Sequence, residues 1–402
     1  MAEAVQPARP DARLWRITPA LFMAGFATFS LIYSVQPLLS AFARDFRLDA
    51  ATSSLALSST TGALAISILV MGAFSETLGR KVLMFGSMCA AALLNLACAV
   101  APTWGLLLVA RGLEGVVLGG VPAVAMAYLA EESPPDRLGL AMGLYVGGTA
   151  FGGMTGRVAM GVMTQLWSWR TALGVISAVD LVAAVAFVLL LPPSRHFVRR
   201  TGLALSTHLD AWGRHLAQPR LAMLFAVAFL VMGAFVTVYN YVGFRLAAPP
   251  YRLDQAQIGL IFLIYLIGIA ASSWAGALAD HFGRPPILML GAMIALAGLA
   301  LSLAQPLALV IVGVTGVTVG FFMAHSVASG WVGRLASENR GHASSLYLLA
   351  YYLGASVLGS AGGWVWRWGG WAALSGYCAA GMLGVLALGL ALGRSSPRAT
   401  DA

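Results

Sequence analysis

Gly72-Ala73-Phe74-Ser75-Glu76-Thr77-Leu78-Gly79-Arg80 is matched 204 residues later by Gly276-Ala277-Leu278-Ala279-Asp280-His281-Phe282-Gly283-Arg284. The shared pattern is a glycine, an acid at +4, a second glycine at +7 and an arginine at +8. Each copy closes one long apolar stretch and opens the next, so each reads as a tight polar hairpin between two apolar helices. The same hairpin in corresponding places divides the chain into two related halves.

Composition says what surrounds those halves. Of 402 residues, 59% are hydrophobic and 10% charged, with a mean hydropathy of +0.84. A soluble domain carries about 25% charged residues, so much of this surface faces lipid. The 46 glycines suit closely packed transmembrane helices, where small residues let backbones approach. Cys89, Cys98 and Cys378 all lie in apolar stretches, are odd in number and show no metal-ligand spacing. The histidines (His196, His208, His215, His281, His325 and His342) offer no helical ligand pair, so neither a metal nor a cofactor is expected. The formal charge of +9 is spread over short loops rather than gathered on one soluble face, which excludes nucleic acid as a partner. Arg9, Arg13 and Arg16 lead into an apolar run from Thr18 to Phe42. A cleaved signal peptide has a shorter apolar core, about 7–15 residues, so the run reads as an uncleaved first span.

Apolar stretches of about 20 residues, enough to cross a bilayer, begin near Thr18, Thr52, Val82, Trp104, Leu138 and Thr171, and again near Leu221, Ile258, Pro286, Pro306, Ser344 and Trp371. The expected fold is therefore all-α and polytopic, with twelve transmembrane helices in two six-helix pseudo-symmetric halves. Residues 1–192 form the first half, 193–219 a polar and basic linker, and 220–402 the second half. With the N-terminus inside, sixteen Lys and Arg fall on the inner side and six on the outer. The positive-inside bias thus places both termini and the linker in the cytoplasm, in a multi-pass inner-membrane topology. Paired halves of this kind are the body plan of secondary transporters.

A second echo supports duplication: Arg137 precedes Leu144-Tyr145 as Arg340 precedes Leu346-Tyr347. Twelve spans in a six-plus-six arrangement, with the repeated hairpin after spans 2 and 8, resemble the major facilitator superfamily over essentially the whole chain. That family's signature is Gly-x-x-x-Asp-Arg/Lys-x-Gly-Arg-Arg/Lys. Gly72, Gly79, Arg80 and Lys81 match it; Glu76 replaces the Asp and Thr77 the first basic residue. The second copy keeps Asp280 but carries His281 and Pro285 at basic positions. Arg111-Gly-Leu-Glu114-Gly115 resembles the family's Arg-x-x-Gln-Gly motif, and Gly148-Thr-Ala-Phe-Gly152-Gly153 its antiporter motif Gly-Pro-x-x-Gly-Gly, with Thr149 for Pro. Spans 1 and 7 look most like bacterial permeases of the drug:proton antiporter branch, particularly the arabinose-efflux-like permeases. Members of this kind usually work as monomers.

The hairpin residues Gly72, Glu76, Gly79, Arg80, Lys81, Gly276, Asp280, Gly283 and Arg284 read as a gate. Glycine permits the turn, and an acid at a helix end can pair with an arginine across the interface between halves; the alternative is a loop charged only to fix topology. Charges inside spans are costly and point to function. Arg111 and Glu114, spaced i,i+3, share a helix face, as a proton-coupling site or a permanent salt bridge, and Arg111 is near enough to a helix end to snorkel. Asp180, in the middle of an apolar span, is a proton carrier, a hydrogen-bonded structural acid or an arginine's partner. Arg157 pairs with an acid or binds an anionic group. A substrate cavity is expected between the halves near the midplane. Tyr33, Gln36, Tyr239, Asn240 and Tyr241 are candidates to line it, with Tyr145 and Tyr265 behind them, although an interfacial aromatic belt would also place Tyr241.

The expected function is secondary active export of a small organic solute, drug-like or sugar-like, in exchange for protons. Proton-coupled uptake of a sugar or organic acid is the alternative, and an uncoupled facilitator a third. No nucleophile, metal cluster or acid–base pair at a membrane surface suggests an enzyme, and no Gly-x-x-x-x-Gly-Lys-Ser/Thr loop suggests an ATP-driven pump.

Overall fold

A computed structural model describes residues 14–133, 137–194, 205–336 and 338–394. Their regular structure is α-helical apart from two single 3-10 turns. Ten helices are long and apolar enough to cross a membrane. One of these, Arg340–Arg394, is two spans joined at Gly369 and Gly370, which leave helical geometry. Leu138–Leu166 is a further 29-residue helix, diluted by glycine. Counted in this way, there are twelve spans among the described residues.

Span 1 begins as Leu14–Tyr33 and continues through a 3-10 turn, Gln36–Leu38, into Leu39–Asp45. Pro37 has no N–H to give the Tyr33 carbonyl, which is why the helix breaks there. Spans 2 and 3 are Ala50–Leu78 and Arg80–Val100. Span 4 is Trp104–Leu118 followed by Pro122–Glu132, and spans 5 and 6 are Leu138–Leu166 and Trp169–Leu190. A short linker helix, Leu205–Leu216, precedes span 7, Pro219–Ala247. Span 8 covers Gln255–Phe282, span 9 Arg284–Leu301, span 10 Leu307–Leu335, and spans 11 and 12 share Arg340–Arg394. The even number of crossings in each half puts the linker and both ends of the described chain on one side, the terminal face; the opposite side is the far face.

The duplicated hairpin has the same backbone in both copies. Gly79 (φ 91°) and Gly283 (φ 86°) both occupy the left-handed region that a side chain disfavours. Burial sorts the spans: 67% of span 1's apolar window and 72% of span 7's is enclosed by protein, against 39% for spans 6 and 9. Spans 1 and 7 are therefore the most enclosed and spans 6 and 9 the most open to lipid of these four, with spans 4 (61%) and 2 (56%) in between.

A row of small residues seats span 5 on span 1. Gly148, Gly152 and Gly156 recur every fourth residue and lie against the backbones of Phe22, Phe26 and Ser30, also four apart. A Cβ on Gly152 would fall 2.2 Å from the Phe26 carbonyl oxygen. The second half repeats the device between spans 7 and 11, where a Cβ on Gly354 would meet the Phe229 carbonyl oxygen at 2.1 Å.

Candidate coupling and binding site

The glycine row fixes what span 1 can reach. Ser30, one step beyond Phe26, presents its hydroxyl to both carboxylate oxygens of Asp180 at 2.9 Å. The next two carbonyls on the same turn, Leu31 and Ile32, accept hydrogen bonds from Arg111 Nη1 (3.2 Å) and Nη2 (2.7 Å). Arg111 Nε donates to the Ala56 carbonyl of span 2 at 3.0 Å, and its Nη1 binds Glu114 Oε2 at 2.7 Å. One turn of span 1 thus binds two of the four intramembrane charges directly, Asp180 and Arg111, and reaches Glu114 through Arg111. Arg111, Glu114 and Asp180 are each fully enclosed.

This corrects one expectation: Arg111 does not snorkel to an interface. Its guanidinium is held by three carbonyls and a carboxylate from spans 1, 2 and 4. Asp180 has no arginine partner among the described residues; its only hydrogen-bond donor is Ser30. Glu114 keeps one oxygen, Oε1, buried without a partner.

At the break in span 1, a second group forms across the two halves. Arg157 of span 5 donates through Nε to Gln36 Oε1 at 2.7 Å and through Nη1 to the Gly153 carbonyl at 2.6 Å. Gln36 Nε2 in turn donates to Asn240 Oδ1 of span 7 at 2.9 Å. The guanidinium lies 3.9 Å over the Tyr33 ring, 4.8 Å from the centre of the Tyr265 ring and 5.3 Å from that of Phe262. Gln36 and Asn240 are 204 positions apart, the same offset as the hairpins. Equivalent residues of two related halves can touch only beside the axis that relates them, so this amide pair marks the pseudo-two-fold.

Of the residues expected to bind solute, Tyr33, Gln36, Asn240 and Tyr265 converge here with Arg157. Tyr239 borders the group: its ring is 5.3 Å from that of Tyr265 and 5.2 Å from that of Phe262, while its hydroxyl bonds Thr318 at 2.8 Å. Tyr241 is directed elsewhere, bonding the Gly359 carbonyl at 3.2 Å and stacking on Trp366. Because it is enclosed, it is not part of an exposed belt either. Tyr145 is buried in the first half with its hydroxyl unpartnered. Phe262 was not anticipated, since a phenylalanine in an apolar span has no signal until Arg157 is placed beside it.

Further cross-half contacts lie toward the far face. Gln255 binds the Pro37 carbonyl and, at 3.4 Å, the Ser40 hydroxyl; its backbone N–H donates to Gln165 at 3.2 Å. Ser356 bonds the Ser58 carbonyl at 2.8 Å, and Arg367 pairs with Asp49 at 2.9 Å. Asp49 also accepts the Thr52 backbone N–H at 2.7 Å. That N–H and the Thr52 hydroxyl, then Arg367, hold its carboxyl below the usual carboxylate range.

The clasp between halves is an expectation for the outward-facing state; in the present conformation the described hairpin charges have partners within their own half. Arg80 bonds Glu131 of span 4, with Nε to Oε2 at 3.0 Å. Lys81 caps the end of span 6 through the Leu191 carbonyl at 2.6 Å. Asp280 accepts from Arg334 of span 10 at 3.1 Å and from Arg284 at 3.4 Å. These contacts stay inside one half, and among the described residues they tie neighbouring spans together. A Cβ on Gly276 would meet nothing within 4 Å; Gly72 and Glu76 lie outside the residues whose side chains are described.

Comparison with known proteins agrees with this architecture. The family model described as Major Facilitator Superfamily matches residues 21–254. The chain is 44% identical over 361 residues to YybF, an MFS-type transporter of Bacillus subtilis, covering 90% of this chain and 89% of the relative. It is 41% identical over 386 residues to YnfM, an inner membrane transport protein of Escherichia coli, covering 96% and 92%. Among solved structures, the nucleoside transporter NupG superposes with a TM-score of 0.76 at 14% identity, over 94% of this chain and 99% of that one. A D-xylose-proton symporter superposes at 0.67 and 19%, over 96% and 97%.

Proposed function

The chain belongs to the major facilitator superfamily, and from that premise we propose that it exports a small organic solute in exchange for protons by alternating access, with Asp180 as the proton carrier. The observation that carries this reading is the isolation of Asp180. An ionised carboxylate enclosed in apolar protein with a single hydroxyl donor would be severely penalised. In this conformation the carboxyl is therefore neutral and holds a proton, which it releases when rearrangement admits water. Glu114 is the lesser candidate, because Arg111 offsets its charge directly.

The cluster of cross-half contacts toward the far face supports a state closed on that side. Lys and Arg bias supports a cytoplasmic terminal face, which makes this the inward-facing conformation with both termini in the cytoplasm. The likeness of Gly148–Gly153 to the antiporter motif supports export within the drug:proton antiporter branch. Both halves of the proposed cavity come from one chain, which supports a working monomer. The test is proton movement in proteoliposomes carrying a pH-sensitive dye, with a panel of lipophilic drugs, sugars and organic acids. Solute-evoked proton release that is present in wild type and Glu114→Gln but lost in Asp180→Asn is expected. Solute flux with no proton signal in any of the three would overturn coupling.

A further inference from the structure

The cross-half group around Arg157 carries one positive charge that nothing in the described structure neutralises. Arg157 is enclosed, has no carboxylate within ion-pairing distance among the described residues, and uses only Nε and Nη1 in its hydrogen bonds to Gln36 and Gly153. The three aromatic faces around it soften the charge without cancelling it. The other three intramembrane charges balance without it: Arg111 pairs with Glu114, and Asp180 in its protonated form is neutral.

The polar groups beside Arg157 are donors in excess. Because an arginine can only donate, its bond to Gln36 fixes the Gln36 oxygen on that side. The Gln36 amide nitrogen must then donate to Asn240 Oδ1, which turns the Asn240 NH2 group away. That Nδ2 is buried with no acceptor, and so is the hydroxyl of Tyr265, whose ring lies over Arg157. A narrow void lined by Gln36, Tyr239, Asn240 and Phe262 adjoins this chain of bonds. Free guanidinium N–H groups, a free amide NH2 and a free hydroxyl lack one thing in common, an acceptor.

We propose that the transported solute carries a carboxylate that docks on Arg157 between the halves, with a planar apolar body against Tyr33, Phe262 and Tyr265. The proposal rests on the transport reading above and narrows its solute class. One unbalanced positive charge calls for a monoanion, since a dianion would leave a buried negative charge in its place. Aromatic faces from both halves suit a flat body, and the same guanidinium repels an ammonium group.

The test is equilibrium binding to the purified full-length protein in detergent at neutral pH, read by calorimetry and by thermal stabilisation. The probes are benzoate, cinnamate and 2-naphthoate, each beside its uncharged carboxamide and its arylmethylammonium counterpart. At least one carboxylate is expected to bind tenfold or more tightly than its carboxamide, with no binding of the ammonium. Arg157→Gln should abolish that preference and Arg157→Lys should retain part of it. Tyr265→Phe, which removes only a hydroxyl, should weaken carboxylate binding severalfold and leave thermal stability unchanged. Equal binding of carboxylates and carboxamides across the panel, or unchanged carboxylate binding in Arg157→Gln, would overturn the proposal. Binding needs no proton flux, so the two readings separate. Carboxylate binding with no coupled movement in liposomes defeats the transport reading alone, and proton exchange driven only by cationic solutes defeats this one alone.

Discussion

At the residue scale, the four intramembrane charges divide by how they are satisfied. Arg111 is a tie between spans: it bonds carbonyls of spans 1 and 2 and the carboxylate of Glu114. Arg111→Ala should destabilise the protein by about 3–5 kcal/mol, because it leaves Glu114 buried without its cation. Pairing Arg111→Met with Glu114→Leu should recover much of that loss, since replacing both partners by apolar groups is often close to neutral. Thermal unfolding in detergent of the single and double variants checks this; a double variant no better than the single one would mean the carbonyl contacts dominate. The sequence places these charges within spans and Arg111 and Glu114 on one helix face, but leaves open whether Arg111 snorkels. It could not show that Ser30, an unremarkable residue in span 1, holds Asp180 across 150 positions, because nothing local marks a partner that only folding brings near.

At the scale of elements, the glycine rows decide how closely spans approach. A methyl group on Gly152 would press into the Phe26 carbonyl, and a side chain driven into a packed contact costs about 1–3 kcal/mol. Gly152→Ala should therefore lower the unfolding temperature and abolish transport, since separating spans 1 and 5 also displaces Ser30 from Asp180 and Arg157 from Gln36. Gly143→Ala, on the same span with open space where the Cβ would go, should do neither. Transport and thermal-melt measurements on the two variants distinguish the effects. The repeated hairpin glycines were legible because a left-handed turn restricts the residue types it accepts, and Gly79 and Gly283 have that conformation. The hairpin charges were not: an acid near an arginine signals pairing but not which of several helix ends supplies the partner, and Asp280 finds Arg334 in its own half.

At the scale of the whole molecule, twelve spans and two halves followed from hydropathy and the repeat, while the state of the molecule did not. Which face is closed depends on contacts between residues hundreds of positions apart, such as Asp49 with Arg367 and Ser58 with Ser356. The Asp49 carboxyl is held below its ordinary range, so what it contributes to far-face closure is fully present above the usual carboxylate pKa of about 4 and is lost as pH falls through its depressed value. Arg367→Gln should weaken closure at neutral pH and reduce that acid dependence; the pair is partly exposed, and exposed pairs are worth at most about 1 kcal/mol, so the change should be severalfold rather than complete.

In the proposed mechanism the halves rock about the Gln36–Asn240 contact and expose Arg157 and Asp180 to one side at a time. The measurement that reaches it most directly is a pair of spin-label distances in lipid nanodiscs, with Cys89, Cys98 and Cys378 replaced. One pair, at Arg47 and Trp368, reports the far face; the other, at Leu140 and Phe282, reports the terminal face. Raising pH, which strips the proton from the proposed carrier, is expected to lengthen the far-face distance while the terminal-face distance shortens, and Asp180→Asn is expected to abolish the exchange. Distances that stay fixed at both faces, or that change together in the same direction, would contradict that mechanism.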